Sequence, residues 1–132
     1  MTRRVQIPPN CDLTLGLTCR DKSVPGRTVW SMPAASHFAN PNNVTQGGFL
    51  AALADSAMST AAVTFLEGRK AAVVNMEMKI SFLAPARTGT VLVATAVVVK
   101  GGRRVAFLET EITDGDGVLV AKASSTYLYT DL

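Results

Sequence analysis

The order of apolar and polar positions divides the chain into three kinds of stretch. Up to Met32 the apolar residues come in short groups. Leu13–Arg20 and Arg27–Met32 predict two short strands, joined by a turn over Asp21-Lys22-Ser23-Val24-Pro25-Gly26. Residues 1–12 predict an irregular start. The stretch PAASHFANPNNVTQGG is rich in Pro, Asn and Gly and predicts a loop, with Thr45 as N-cap of the element that follows. Gln46–Glu67 predicts the one long helix: Ala, Leu and Met dominate it, no proline interrupts it, and Gly68 suits its end. Such a helix spans about 30 Å. It is apolar on most faces, so it is expected to be buried on most sides.

Beyond the helix the period changes to two. Along Val74–Phe82, Val74, Met76, Met78, Ile80 and Phe82 share one face, and Asn75, Glu77, Lys79 and Ser81 share the other. APARTG predicts a turn. Thr90–Val99 is apolar on both faces. Lys100-Gly101-Gly102-Arg103 predicts a hairpin turn, Arg104–Thr113 a strand, Asp114-Gly115-Asp116-Gly117 a second hairpin, and Val118–Tyr129 the last strand. The expected fold is α+β: a curved antiparallel sheet of about five or six strands wrapped around one central helix, its last four strands in a meander. The second apolar face of Val91–Val99 then needs cover, which argues for oligomerisation through the sheet.

Composition narrows the function classes. With 132 residues, residues 1–132 form one domain with a full core. Hydrophobic residues make up 48% and charged residues 17%, as in a packed globular protein and not a disordered one. A net charge of +3 without a basic stripe argues against nucleic acid as a partner. The two N-terminal arginines are followed by no apolar run, unlike a secretory signal. No apolar segment reaches the roughly 18–20 residues of a membrane span without polar interruption. Cys11 and Cys19, the only cysteines, are expected as reduced thiols, and the expected location is cytoplasmic. His37 is the only histidine, and Asp114-Gly-Asp-Gly lacks the further ligands of a calcium loop, so no metal is expected.

One charge stands out. Between Thr28 and Leu66 only Asp55 is formally charged, and it lies in the middle of the apolar helix. A structural reading ties it to Ser56, Ser59 or Thr60. An unpaired buried carboxylate is expensive, however, and the helix holds no Lys or Arg to pair with it. The helix also starts with Gly47 and Gly48, each roughly 1 kcal/mol worse than Ala within a helix. Bare backbone N–H groups at the positive end of the helix dipole suit an anionic or oxyanionic group. Gly47 and Asp55 are ~12 Å apart along one helix, too far for one reacting group to touch both. Two antiparallel copies of the helix across a two-fold axis bring one copy's N-terminus to the other's Asp55, giving two sites per dimer.

The run N-x5-QGG-x7-D, made by Asn40, Gln46-Gly47-Gly48 and Asp55, resembles the hotdog-fold acyl-CoA thioesterases of the PaaI-like (4-hydroxybenzoyl-CoA thioesterase) superfamily. That family usually has HGG followed by L-x-D, and Leu53-Ala54-Asp55 is in register with it. FLAPAR at Phe82–Arg87 is similar to the family's aromatic-x-x-Pro segment, KGGRR to its strand–strand turn, and DGDGVLVAKASSTY to its closing hairpin. The resemblance covers roughly residues 13–130. Gln46 stands where the family has histidine, so it can orient a group but not transfer a proton. Asn75 aligns with a family hydroxyl position, although alternation points it away from the apolar face.

What the resemblance implies is hydrolysis of an acyl-CoA thioester, with no cofactor beyond the coenzyme A of the substrate. The Gly47 N–H would hold the developing oxyanion. Asp55 of the partner subunit would attack the carbonyl carbon or activate a water. Asn40 would position water or the carbonyl. Gly48, Ser59, Asn75 and Phe82 are candidates to contact the substrate, and Arg87, Lys100, Gly101, Arg103 and Arg104 to meet its phosphates. A dimer is the minimal active unit and a homotetramer the expected assembly. Two alternatives remain open: a hotdog hydratase or dehydratase, and a non-catalytic acyl-CoA-binding protein. For the first, His37 has no evident acidic partner. For the second, Asp55 is intact and no DNA-binding segment is appended.

Overall fold

A computed structural model describes residues 6–131. Six antiparallel strands form one sheet, and one long helix lies across it. In chain order the elements are α1 (Asn10–Leu15), β1 (Thr18–Val24), β2 (Arg27–Pro33), a 3-10 turn (Ser36–Phe38), α2 (Gly47–Phe65), β3 (Ala71–Phe82), β4 (Val91–Gly101), β5 (Val105–Thr113) and β6 (Leu119–Asp131). The sheet order is β1-β2-β4-β5-β6-β3. The expected α+β hotdog architecture is therefore present.

The start of the chain differs from expectation. Asn10–Leu15, read as irregular chain running into a strand, forms a short helix that Gly16 ends at φ 69°. Pro9 before it and Gly16 after it are the ordinary punctuation of a helix. The first strand begins only at Thr18 and runs on to Val24.

The four later strands are not a meander. β3 pairs with β6 at the far edge, and β4 pairs with β2. The segment read as a turn after β3 is a crossing connection. Its backbone bonds the loop before α2: the Thr45 N–H donates to Ala86 O at 2.8 Å, Gly89 N–H to Ala34 O at 2.9 Å, and Ala34 N–H to Thr90 O at 2.9 Å. These bonds satisfy a chain that no sheet neighbour covers. β4 also runs through Gly101, so its hairpin turns over Gly102–Arg104, closed by Gly102 N–H on Val105 O at 2.9 Å.

α2 buries one face only. Leu50, Leu53, Ala54, Ala57, Met58, Ala61 and Ala62 form an unbroken i, i+3, i+4 stripe against the sheet. The other side, expected to be covered too, stays half-buried or exposed, with Val63 at 47% and Phe65 at 37%. One sheet covers one side of a helix and leaves the other side open. By length and composition α2 would suffice to cross a membrane, contrary to the sequence reading, but its stripe packs on the sheet. Sheet hydroxyls also bond its backbone. Thr28 donates to Ala57 O at 2.6 Å, and Tyr129 to Ala62 O at 2.8 Å. Thr45 is not the N-cap. Gln46 takes that position without a side-chain bond, and Thr45 is buried. Cys11 and Cys19 are free thiols.

Candidate functional site

Asp55 sits at the margin between the buried stripe and the open face of α2, itself half-buried. Two sheet residues reach up to it. Tyr127 Oη donates to Asp55 Oδ1 at 2.7 Å, and Asn75 Nδ2 donates to the same oxygen at 3.0 Å. Asn75 also donates to Tyr127 Oη at 3.3 Å. The two are directly opposite in the β3–β6 register.

The direction of Asn75 corrects the alternation argument. β3 carries a bulge between Asn75 and Glu77, which adds one residue and flips the parity of the strand. Ala71 and Val73 before the bulge, and Met78 and Ile80 after it, pack on the core. Asn75 therefore faces inward, while Val74 and Met76, expected inward, are 49% and 57% exposed.

Tyr127 was not singled out in the sequence. A signal existed: Tyr127 and Tyr129 alternate on one strand, and a buried tyrosine hydroxyl needs a polar partner. Burial first, then the bond to Asp55 and its charge, push the Tyr127 phenol above its ordinary value near 10. Burial raises Tyr129 too, against the opposing charge of Arg69. The fold thus favours the neutral phenols. Their contribution to stability is full below the ordinary value and is lost as pH rises through the raised one. The urea midpoint is expected to fall as pH climbs from about 9 to 11, and Tyr127→Phe to flatten that fall.

The other candidates, Ser59 apart, lie at the two ends of α2. At its N-terminus Gly47 is overlaid by the Phe82 ring; a Cβ there would lie 2.6 Å from Cζ. A side chain at this position would have to displace the half-exposed Phe82 ring. Gly48 has open space where a Cβ would go. Asn40 organises the loop: its Oδ1 accepts from the N–H of Asn42 at 2.9 Å and of Val44 at 3.3 Å. Gln46 is exposed, and its N–H donates to Phe38 O at 2.9 Å. Arg87, exposed, bridges to Val44 beside this loop. Ser59 lies one turn beyond Asp55 and donates to Ser56 O at 3.2 Å.

Lys100, Gly101, Arg103 and Arg104 gather at the C-terminal end of α2. Gly101 lies against the Phe65 ring, where a Cβ would collide with it. Arg69 Nη1 donates to Arg103 O at 2.6 Å, and its Nη2 pairs with Asp131 at 3.0 Å. One chain thus brings together Asp55, Asn75 and Tyr127, but holds the glycines and the basic turn on opposite sides of them.

The chain matches the model of the thioesterase superfamily over residues 42–121, which contain the whole of α2 and its carboxylate. It is 31% identical over 118 residues to human acyl-coenzyme A thioesterase 13, covering 89% of this chain and 83% of that protein. Among solved structures, the E. coli PaaI protein from the phenylacetic acid degradation operon superposes with a TM-score of 0.84 at 27% identity, over 91% of this chain and 83% of the other. A single-site mutant of the phenylacetic acid degradation protein PaaI from Thermus thermophilus gives 0.81 at 30% identity, over 90% and 97%. With the sheet order, the single long helix and the carboxylate in its middle, these matches place the chain in the thioesterase superfamily, as a hotdog-fold enzyme of the PaaI-like kind.

Proposed function

We propose that the protein hydrolyses acyl-CoA thioesters in the cytoplasm, at two equivalent sites shared across a homodimer. The observation that carries this reading is the half-buried Asp55, the one carboxylate of α2, anchored by neutral donors and, among the described residues, unpaired with any cation. A carboxylate so placed is a base or a nucleophile. The resemblance to acyl-coenzyme A thioesterase 13 supplies the substrate class.

In the general-base route, Asp55 takes a proton from water as the water oxygen bonds the thioester carbon. The Gly47 N–H of the other subunit holds the oxyanion. Collapse breaks the C–S bond, and the proton leaves with the thiolate. In the nucleophilic route Asp55 bonds the carbon itself and the C–S bond breaks, giving the mixed anhydride and the thiolate; water then cleaves the anhydride, and the proton it releases goes to the thiolate. Both restore the carboxylate, and neither needs a cofactor.

A shared site also accounts for the open face of α2 and the exposed β3 edge with Val74, Met76 and Phe82. In an antiparallel pair, the basic turn at Lys100–Arg104 of one subunit lies near Gly47 and Arg87 of the other, where it would meet the phosphates of coenzyme A. The outer sheet face exposes Val91, Val97, Val99, Val105 and Phe107, and we assign it to pairing of dimers into a tetramer.

Complementation tests the shared site. Asp55→Asn and Gly47→Val are each expected to be inactive. Denatured together and refolded, half of the dimers carry both chains, and one site in each is intact. The mixture is expected to recover about a quarter of wild-type activity. Recovery of none, with both variants folded by their melting curves, would sink the shared arrangement.

A further inference from the structure

Both donors to Asp55 converge on one atom. Tyr127 Oη and Asn75 Nδ2 bond Oδ1, and among the described residues no donor reaches Oδ2. We propose that Tyr127 is a positioning residue for the reaction: with Asn75 it ties up Oδ1 and leaves Oδ2 as the single reacting oxygen of Asp55. This rests on Asp55 being the reacting carboxylate.

The arrangement is closed. Tyr127 has one proton, and the shorter of its two contacts on Asp55 is to Oδ1, at 2.7 Å against 3.1 Å to the backbone oxygen. The two protons of Asn75 Nδ2 go to Oδ1 and to Tyr127 Oη. That orientation of the amide is dictated by charge, since the opposite one would set its carbonyl against the carboxylate. It leaves Asn75 Oδ1 buried without a partner. An apolar side chain there would avoid that unmet acceptor, so packing alone does not account for Asn75; the donor it supplies to Asp55 does.

The function of such an anchor is geometric. A carboxylate free to turn about its Cβ–Cγ bond spreads its two oxygens over many positions, whereas attack requires one oxygen at one distance from the carbon. Two bonds to Oδ1 stop the rotation. Oδ2, without a donor, keeps its lone pairs for the proton or the carbon. Tyr127 is 1% exposed and its phenol is held neutral by burial, so it stays a donor across the working pH range.

Tyr129 is the internal control. It too is a buried tyrosine of β6, but its proton goes to the backbone of α2, at Ala62 O. It makes no hydrogen bond to Asp55. Thiol release from an acyl-CoA panel is therefore compared for the wild type, Tyr127→Phe, Tyr129→Phe, Asp55→Asn, and Asp55→Asn with Tyr127→Phe. Tyr127→Phe is expected to lower kcat about 10- to 100-fold with KM little changed. Tyr129→Phe should keep kcat. On the Asp55→Asn background, Tyr127→Phe should change the residual rate no further.

A Tyr127→Phe enzyme with wild-type kcat, or one that loses rate equally in both backgrounds, overturns the positioning role and leaves the thioesterase reading standing. A wild type without turnover on any thioester, or an active Asp55→Asn, sinks both. Should Tyr127→Phe not fold, Asn75→Ala carries the same comparison from the edge strand. An additive loss there would equally overturn the anchoring of Oδ1.

Discussion

Asp55→Asn is expected to lower kcat on acyl-CoA by on the order of a thousandfold while the protein stays folded. The asparagine oxygen can still accept the hydrogen bonds of Tyr127 and Asn75, now at 2.7 and 3.0 Å. What disappears is the negative charge on the second atom, which an amide group replaces. Burial and helix propensity hardly change, so the thermal midpoint should stay within a few degrees. Thiol release from short-chain, medium-chain, long-chain and aromatic acyl-CoAs, read beside a melting curve, checks both halves. A folded variant that keeps a tenth of the rate would return Asp55 to the structural reading, tied to its neighbours.

The largest effect on stability is expected from Leu53→Ala. Leu53 lies two residues before Asp55, in the stripe that packs on the sheet, and is fully buried. Of its nearest neighbours in the stripe, Leu50 is large, but Ala54 and Ala57 are small, as are the buried Ala94 and Ala96 of β4. Short side chains let helix and sheet approach closely, but they have little reach with which to fill a hole. The substitution should cost roughly 2–5 kcal/mol. For a chain of this size that lowers the midpoint by on the order of 10 °C. Urea unfolding measures it directly. A loss under about 1 kcal/mol would mean that the sheet closes the gap.

How far the sequence carried each of these readings depended on how local the deciding physics was. Period-two alternation marks β3, and Gly-rich hairpins bound β4, β5 and β6, because both signals lie within a few residues. The helix was legible to within two residues at either end, from Gly47–Phe65 against the expected Gln46–Glu67. Strand order was not, since nothing local says that β3 passes β4 and pairs with β6. The Asn75 bulge was hidden for the same reason. A bulge is set by what the opposite strand offers, and the residues of β3 look like uninterrupted alternation. Asp55 stood out because a lone charge among apolar residues is anomalous on any fold. Tyr127 did not, because its meaning lies entirely in the helix it touches, 72 residues away in the chain. Likewise, the glycine at 47 was read as an opening for a ligand, and the Phe82 ring supplies a second reason that only the fold reveals.

The hydroxyls that bond the backbone of α2 have a consequence for how such an enzyme changes its substrate. Apolar packing alone would let a helix slide or roll when its side chains are exchanged. Thr28 and Tyr129 index α2 at Ala57 and Ala62, like pins along a rail. Their bonds go to main-chain oxygens, so they do not care which side chains the open face carries. Ala51, Ala52, Ser56, Ser59 and Thr60 can then be replaced in a directed library while the carboxylate stays where it is. New acyl selectivity would be reached by redecorating a fixed rail, without rebuilding the catalytic register each time.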